Sequence, residues 1–167
     1  MQDDRVKIIL KGAEEPSGLA MIFSQYFEQN IGEFSYKNKQ AMKTRGKLAI
    51  EALEGDVAVT VDFRGGEIEI AEGRDPGADI FVRGGIFSLT ELAVGGTGAL
   101  KKLAGGDLTV RSAWKHPLFA ARVARFMSLP HEMKAREAGR GRPPLWKLAA
   151  GAGGAAAVGL AAYFLMN

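Results

Sequence analysis

Between Lys47 and Glu72 apolar residues recur at every second position, and this alternation constrains the fold more than any other part of the chain. Val57, Val59, Val61 and Phe63 alternate with Ala58, Thr60 and Asp62, and Ile68 and Ile70 alternate with Glu67 and Glu69. A period of two sends alternate side chains to opposite faces of a pleated sheet. The interruptions are turn sequences: Glu54-Gly55 separates Lys47–Leu53 from Asp56–Phe63, and Arg64-Gly65-Gly66 leads into Glu67–Glu72. Strands joined this closely form an antiparallel meander with one buried face. That face must be covered, and the flanking segments supply the cover.

Upstream, Pro16-Ser17 is a helix-start signal, and Leu19, Ile22, Phe23, Tyr26 and Phe27 follow at helical spacing. Asn30-Ile31-Gly32 is expected to break this helix, and a more polar one is expected from Glu33 to Lys43. Residues 5–11 alternate loosely and suit either a short strand or the lead-in to a helix. Downstream, Ala78–Gly84 reads as a fourth strand with Ile80 and Val82 inward, and Ile86–Val94 as a helix carrying Phe87 and Leu92. Gly95-Gly96 ends it, a short helix Ala99–Ala104 carries Leu100 and Leu103, and Asp107–Arg111 is a fifth strand. Pro117 opens a last helix, 118–129, with Phe119, Val123 and Phe126 on one stripe. The class expected is α+β, a five-stranded sheet covered by helices on one face.

Beyond Pro130 the chain changes character. Residues 131–147 hold five cations (Lys134, Arg136, Arg140, Arg142, Lys147) against two anions, and residues 1–130 hold 17 of each sign, so the net charge of +3 lies entirely in this collar. A nucleic-acid binder would carry its basic face on the folded domain, so no nucleic acid is expected. From Leu148 to Asn167 there is no charged residue. Twenty helical residues span about 30 Å, the thickness of the bilayer hydrocarbon core. Trp146 and Tyr163 flank the run as interfacial aromatics do, and cations beside a span mark its cytoplasmic side. The expected organisation is a folded domain over 1–130, a basic Pro/Gly linker over 131–144, and a C-terminal transmembrane anchor helix over 145–167. The alternative burial for the tail is against the domain itself, since an all-apolar helix must be buried in something. Gly151, Ala155 and Gly159 form a small-residue stripe, a candidate homodimer contact. Met1-Gln2-Asp3-Asp4 lacks the features of a secretory leader, and Leu165-Met166-Asn167 is not a peroxisomal address.

Catalytic groups are scarce. With no cysteine and two histidines, thiolate chemistry, zinc-ribbon sites and multi-histidine metal cages are excluded. His116 precedes Pro117 at a helix start and reads as a turn residue; His131 lies in the collar. Glu51, Asp62, Glu67 and Glu69 alternate with apolar residues and belong to a solvated sheet face. Gly95-Gly96-Thr97-Gly98 lies between two helices and lacks the Gly-Lys-Ser/Thr ending of a phosphate loop. No enzymatic role, cofactor or metal is expected. Phe23, Phe27, Phe63, Phe87, Phe119 and Phe126 converge between sheet and helices, and the pattern alone leaves open a filled core or an apolar cavity.

Three segments resemble the sterol carrier protein 2 (SCP2) domain family: the meander Lys47–Glu72 with Gly65-Gly66 at its turn, the strand Ala78-Asp79-Ile80-Phe81-Val82-Arg83-Gly84, and Leu100–Arg111 with its Gly105-Gly106-Asp107. With the helical stretch from Ser17, the resemblance covers roughly residues 17–129. Ser112 departs from it, standing where the family often has glycine. The resemblance implies an SCP2-like sandwich with a hydrophobic tunnel and no catalytic residues. Its ligand would be a sterol-like lipid, a hopanoid, a polyprenyl quinone or an acyl chain. Phe23, Phe27, Phe63, Ile68, Ile80, Phe87, Leu92 and Leu103 would then be the ligand-binding residues. Two functions remain open: a membrane-tethered lipid carrier, and a module recruiting cytoplasmic enzymes, such as those of isoprenoid-quinone synthesis, to the membrane.

Overall fold

The computed structural model describes residues 5–12, 15–93 and 105–128. Among the described residues, six strands and four helices follow in the order β1 (Lys7–Lys11), α1 (Gly18–Glu33), α2 (Ser35–Met42), β2 (Arg45–Ala52), β3 (Ala58–Arg64), β4 (Glu67–Glu72), β5 (Ile80–Gly84), α3 (Ile86–Ala93), β6 (Leu108–Arg111) and α4 (Pro117–Met127), with a 3-10 turn at Ala113–Lys115 before α4. The class is α+β, as expected. The stretches expected to be a linker (131–144), an anchor helix (145–167) and a short helix (99–104) lie outside the described residues. Among the described residues no helix is long and apolar enough to cross a membrane.

The sheet has six strands rather than five, in the order β1-β4-β3-β2-β5-β6. The sixth is β1, which pairs parallel with β4 and sets Ile8 beside Ile68 and Leu10 beside Ile70. The alternation of residues 5–11 is loose because β1 is an edge strand, whose lysines, Lys7 and Lys11, are exposed. Charged edge residues discourage pairing with another chain. The meander β2-β3-β4 is antiparallel as expected, β5 runs parallel to β2, and β6 is antiparallel to β5.

Register keeps one face apolar across all six strands. Leu48 faces Val61 and Ile80; Phe63 faces Ile68; Val82 faces Val110. The other face carries an ion-pair lattice. Arg64 meets Asp62, Glu67 and Glu69 at 2.9, 3.4 and 3.0 Å, and Glu51 meets Arg74 and Arg83 at 3.4 Å each. Glu67 and Glu69 are therefore partners of Arg64 on a solvated face, in keeping with the sequence. The loop after β4 folds across that face and is pinned by Thr60. Its hydroxyl donates to the Gly73 carbonyl at 2.8 Å and accepts from Asp75 N–H at 2.9 Å.

Helix α1 starts where the Ser17 hydroxyl accepts from Ala20 N–H, while Ser17 N–H donates to Glu72 at 2.6 Å and ties the helix to the end of β4. Leu19, Phe23, Phe27 and Ile31 recur every fourth residue and are buried. The expected break at Asn30-Ile31-Gly32 does not occur, because Ile31 continues this stripe and is worth burying. The helix ends one turn later, where Phe34 is extended (φ −124°) and α2 begins.

Two backbone positions tie α4 to the sheet. Gly46 on β2 has φ +135°, and a Cβ there would stand 3.0 Å from the Phe119 ring of α4. Ser112, between β6 and the 3-10 turn, adopts φ 65°, ψ 0°. This left-handed conformation costs a side-chain-bearing residue about 1–2 kcal/mol, and glycine adopts it freely. Ser112→Gly is therefore expected to stabilise the domain by about 0.5–1 kcal/mol after the entropic cost of glycine, read by chemical denaturation.

Candidate functional site

The apolar face of the sheet and the helices above it enclose the interface where a ligand would be held. On the β3–β4 side it is occupied by interlocked rings. Phe27 of α1 lies 5.8 Å from Phe23, 6.0 Å from Phe63 and 5.3 Å from Phe126, centroid to centroid. Phe63 meets Phe119 and Phe126 edge-on at 6.0 and 5.9 Å. Tilted and edge-on rings at these distances add attraction beyond the area they bury. Toward β5 and β6 the lining turns aliphatic. Ile80, Val82, Leu89 and Leu108 are buried, and Ile86, Leu92 and Val110 are packed against them but only partly buried.

The expected ligand residues are thus distributed unevenly. Phe23, Phe27, Phe63 and Ile68 meet in the aromatic half, fully buried, and Ile80 lies on the aliphatic side. Leu92 is half-buried at the margin. Phe87 does not point inward as expected: it is 82% exposed, on the side of α3 away from the buried Leu89. Leu103 lies outside the described residues.

What the sequence did not reveal is how α4 is held over this interface. Lys37 of α2 is 1% exposed, and its ammonium donates to the carbonyls of Arg125, Phe126 and Ser128 at 2.9, 2.6 and 2.6 Å. The Tyr26 hydroxyl donates to the Met127 carbonyl at 2.8 Å. Four consecutive carbonyls at the end of α4, where a helix has no acceptor partners of its own, are thereby satisfied. A cation at this end also opposes the negative pole of the helix. Burial pushes the Tyr26 phenol above its ordinary pKa and keeps it a donor. The one available signal was spacing, since Lys37 stands four residues before Ala41, on the buried stripe of an otherwise polar helix.

His116 closes the start of α4. Its Nδ1 lies 3.5 Å from Asp79 Oδ1, and the other Asp79 oxygen accepts from Lys47 N–H at 2.8 Å. His116 is followed by Pro117 and its carbonyl accepts from Ala120 N–H, so it is a helix-start residue, as its sequence position suggests. Among the described residues no cluster of three or more His, Asp or Glu is arranged to hold a metal ion. The chemistry on offer in this interface is apolar burial.

Two outcomes are expected of this architecture. Lys37→Met strands the Phe126 and Ser128 carbonyls, while the Arg125 carbonyl keeps its bond from the Ser128 hydroxyl, and costs about 3 kcal/mol. Phe27→Ala, at the hub of the rings, costs about 3–5 kcal/mol, the range for a filled core. Denaturant unfolding reads both.

Comparison with known proteins comes down to the fold. No protein-family model matches the sequence, and no curated protein does. Among solved structures, a UbiJ-SCP2 ubiquinone synthesis protein superposes with a TM-score of 0.53 at 14% identity, over 65% of this chain and 91% of that one. Two sterol carrier protein 2 structures also match. One, from Yarrowia lipolytica in its apo form, has 17% identity, covers 58% of this chain and 90% of its own, and gives a TM-score of 0.42. The other has 18% identity, 67% and 92% coverage, and a TM-score of 0.45. A mixed sheet with one apolar face under helices, matched at this level, is an SCP2-like fold.

Proposed function

We propose that this chain is a membrane-tethered, non-enzymatic lipid-binding protein that takes an apolar ligand between its sheet and its helices. The observation that carries the reading is the asymmetry of that interface. Its aromatic half is packed, and its aliphatic half runs out to partly buried Ile86, Leu92 and Val110. An acyl or isoprenoid chain entering beside α3 would complete the burial of these residues, at roughly 0.8 kcal/mol per methylene. The SCP2-like fold supports the same reading, since the similar structure with a TM-score of 0.53 is titled UbiJ-SCP2. The tether is residues 145–167, with the domain on the cytoplasmic side of the basic collar, and the ligand comes from the same bilayer.

The second reading, a module recruiting cytoplasmic enzymes to the membrane, is favoured by the interlocked rings, which leave that half of the interface filled. The similar structure titled as a ubiquinone synthesis protein fits such a role in isoprenoid-quinone synthesis. The two readings part on one measurement. Purified full chain is extracted for lipid, and its thermal unfolding is followed with and without long-chain lipids. A carrier co-purifies with lipid, and ligand at a hundredfold its dissociation constant adds about 2.7 kcal/mol of stability. Leu92→Trp, at the aliphatic margin, is expected to abolish that gain with little change in the ligand-free midpoint. If no apolar ligand co-purifies and none moves the midpoint, the recruiting module replaces the carrier. Attachment through 145–167 is expected to survive a high-salt wash, which strips a purely electrostatic association. Ala157→Arg, adding about 2.5–3.5 kcal/mol at mid-span, is expected to release the chain.

A further inference from the structure

The surface formed by the 3-10 turn and the outer side of α4 has a composition no part of the preceding account uses. Trp114 is 64% exposed and Leu118 is 74% exposed, four residues apart across the start of α4. Leu118, Arg122 and Arg125 follow at helical spacing on an exposed side of α4, about 100° around the helix from the buried Phe119, Val123 and Phe126. Arg122 and Arg125 are exposed, and the Lys115 ammonium lies 5.3 Å from the centre of the Trp114 ring. From Leu108 to Ser128 the sequence contains four Lys or Arg and not one Asp or Glu. Asp79, which borders the turn, is engaged by Lys47 N–H and His116.

We infer that this surface is a second membrane contact, in which Trp114 and Leu118 enter the headgroup region of an anionic bilayer while Lys115, Arg122 and Arg125 meet its lipid phosphates. Exposed tryptophan and leucine ringed by cations suit an interface that is apolar below and negative above. A nucleic acid would use the cations and leave Leu118 in water. The chain itself continues from this helix into the basic segment 131–147 and the charge-free run beyond it. The inference rests on the reading that the protein works at a membrane. It adds that the folded domain lies against the bilayer in one orientation rather than hanging free of it.

The test uses the full chain with Trp146→Phe, which leaves Trp114 as the sole tryptophan. It is mixed with phosphatidylcholine vesicles with or without phosphatidylglycerol, a fraction of the lipid brominated in its acyl chains. Trp114 emission is expected to shift to the blue and be quenched on the anionic vesicles and much less on the neutral ones. Arg122→Gln and Arg125→Gln are each expected to lower the ratio of docked to undocked Trp114 about fivefold, and Leu118→Ser to lower it further, with unchanged circular dichroism. Flotation after a salt wash reports the tail separately. Quenching on anionic lipid with protein lost to the wash supports the surface and overturns the tether. Protein that floats after the wash with unquenched Trp114, or with equal quenching on both vesicles, overturns the surface and leaves the tether standing. A lipid-independent blue shift that grows with protein concentration assigns the face to a second copy of the chain and overturns the proposal, as does quenching competed away by nucleic acid.

Discussion

A single buried ammonium group fixes where the last helix lies, and the interior follows from that placement. Lys37 reaches three carbonyls at the end of α4. A buried lysine is costly unless each of its protons finds an acceptor. Here the helix terminus supplies three acceptors, two of which, the Phe126 and Ser128 carbonyls, would otherwise lose their partner, so each side offsets the other's penalty. With that end of α4 docked on α2 and on Tyr26 of α1, Phe126 is brought against Phe27 and Phe63. At the opposite end Phe119 lies over Gly46, where only a missing side chain allows the approach. The aromatic half of the interior is therefore anchored at both ends by polar or steric devices that are themselves not hydrophobic.

The parts of this fold legible in the sequence are those governed by local periodicity. The meander, β5, β6 and the buried stripe of α4 all repeat at two or at three and four residues, and the structure keeps them. What was illegible depends on partners distant along the chain. β1 is a strand because Ile8 and Leu10 find Ile68 and Ile70, some sixty residues later. Lys37 is buried because α4 ends beside it. Phe87 was assigned inward as a large apolar residue in an apolar helix, yet it lies about 200° around that helix from Leu89. A short helix with apolar residues on several sides does not declare which side faces the sheet. Of the candidate ligand residues, those on strands and on α1 are buried between sheet and helices as their spacing suggests, and the one on the first turn of α3 is exposed.

Charge is sorted by surface with little mixing. The outer sheet face pairs acids with arginines residue by residue, so its field is short-ranged and largely self-cancelling. Lys47 and Asp75 belong to this pattern: the hydrogen bond between them at 2.8 Å raises the lysine and lowers the carboxyl relative to their ordinary pKa values. Around α4 there is no such cancellation. Two sides of one small domain therefore present different electrostatic characters, one locally neutral and one on which the residues from Leu108 to Ser128 contribute cations and no acid.

The parallel pairing of β1 with β4 has a consequence for biogenesis. β1 leaves the ribosome well before β4 and cannot take its place until residues 67–71 have been made and the meander has closed. Closing so long a loop is slow, and it must follow the local hairpins rather than precede them. During that interval β4 is the outer edge of the nascent sheet, and Ile8 and Leu10 are without their cover. A strand made some sixty residues ahead of its partner is thus seated late in the fold, and the window of aggregation risk during synthesis is lengthened by the time taken to translate the segment between them.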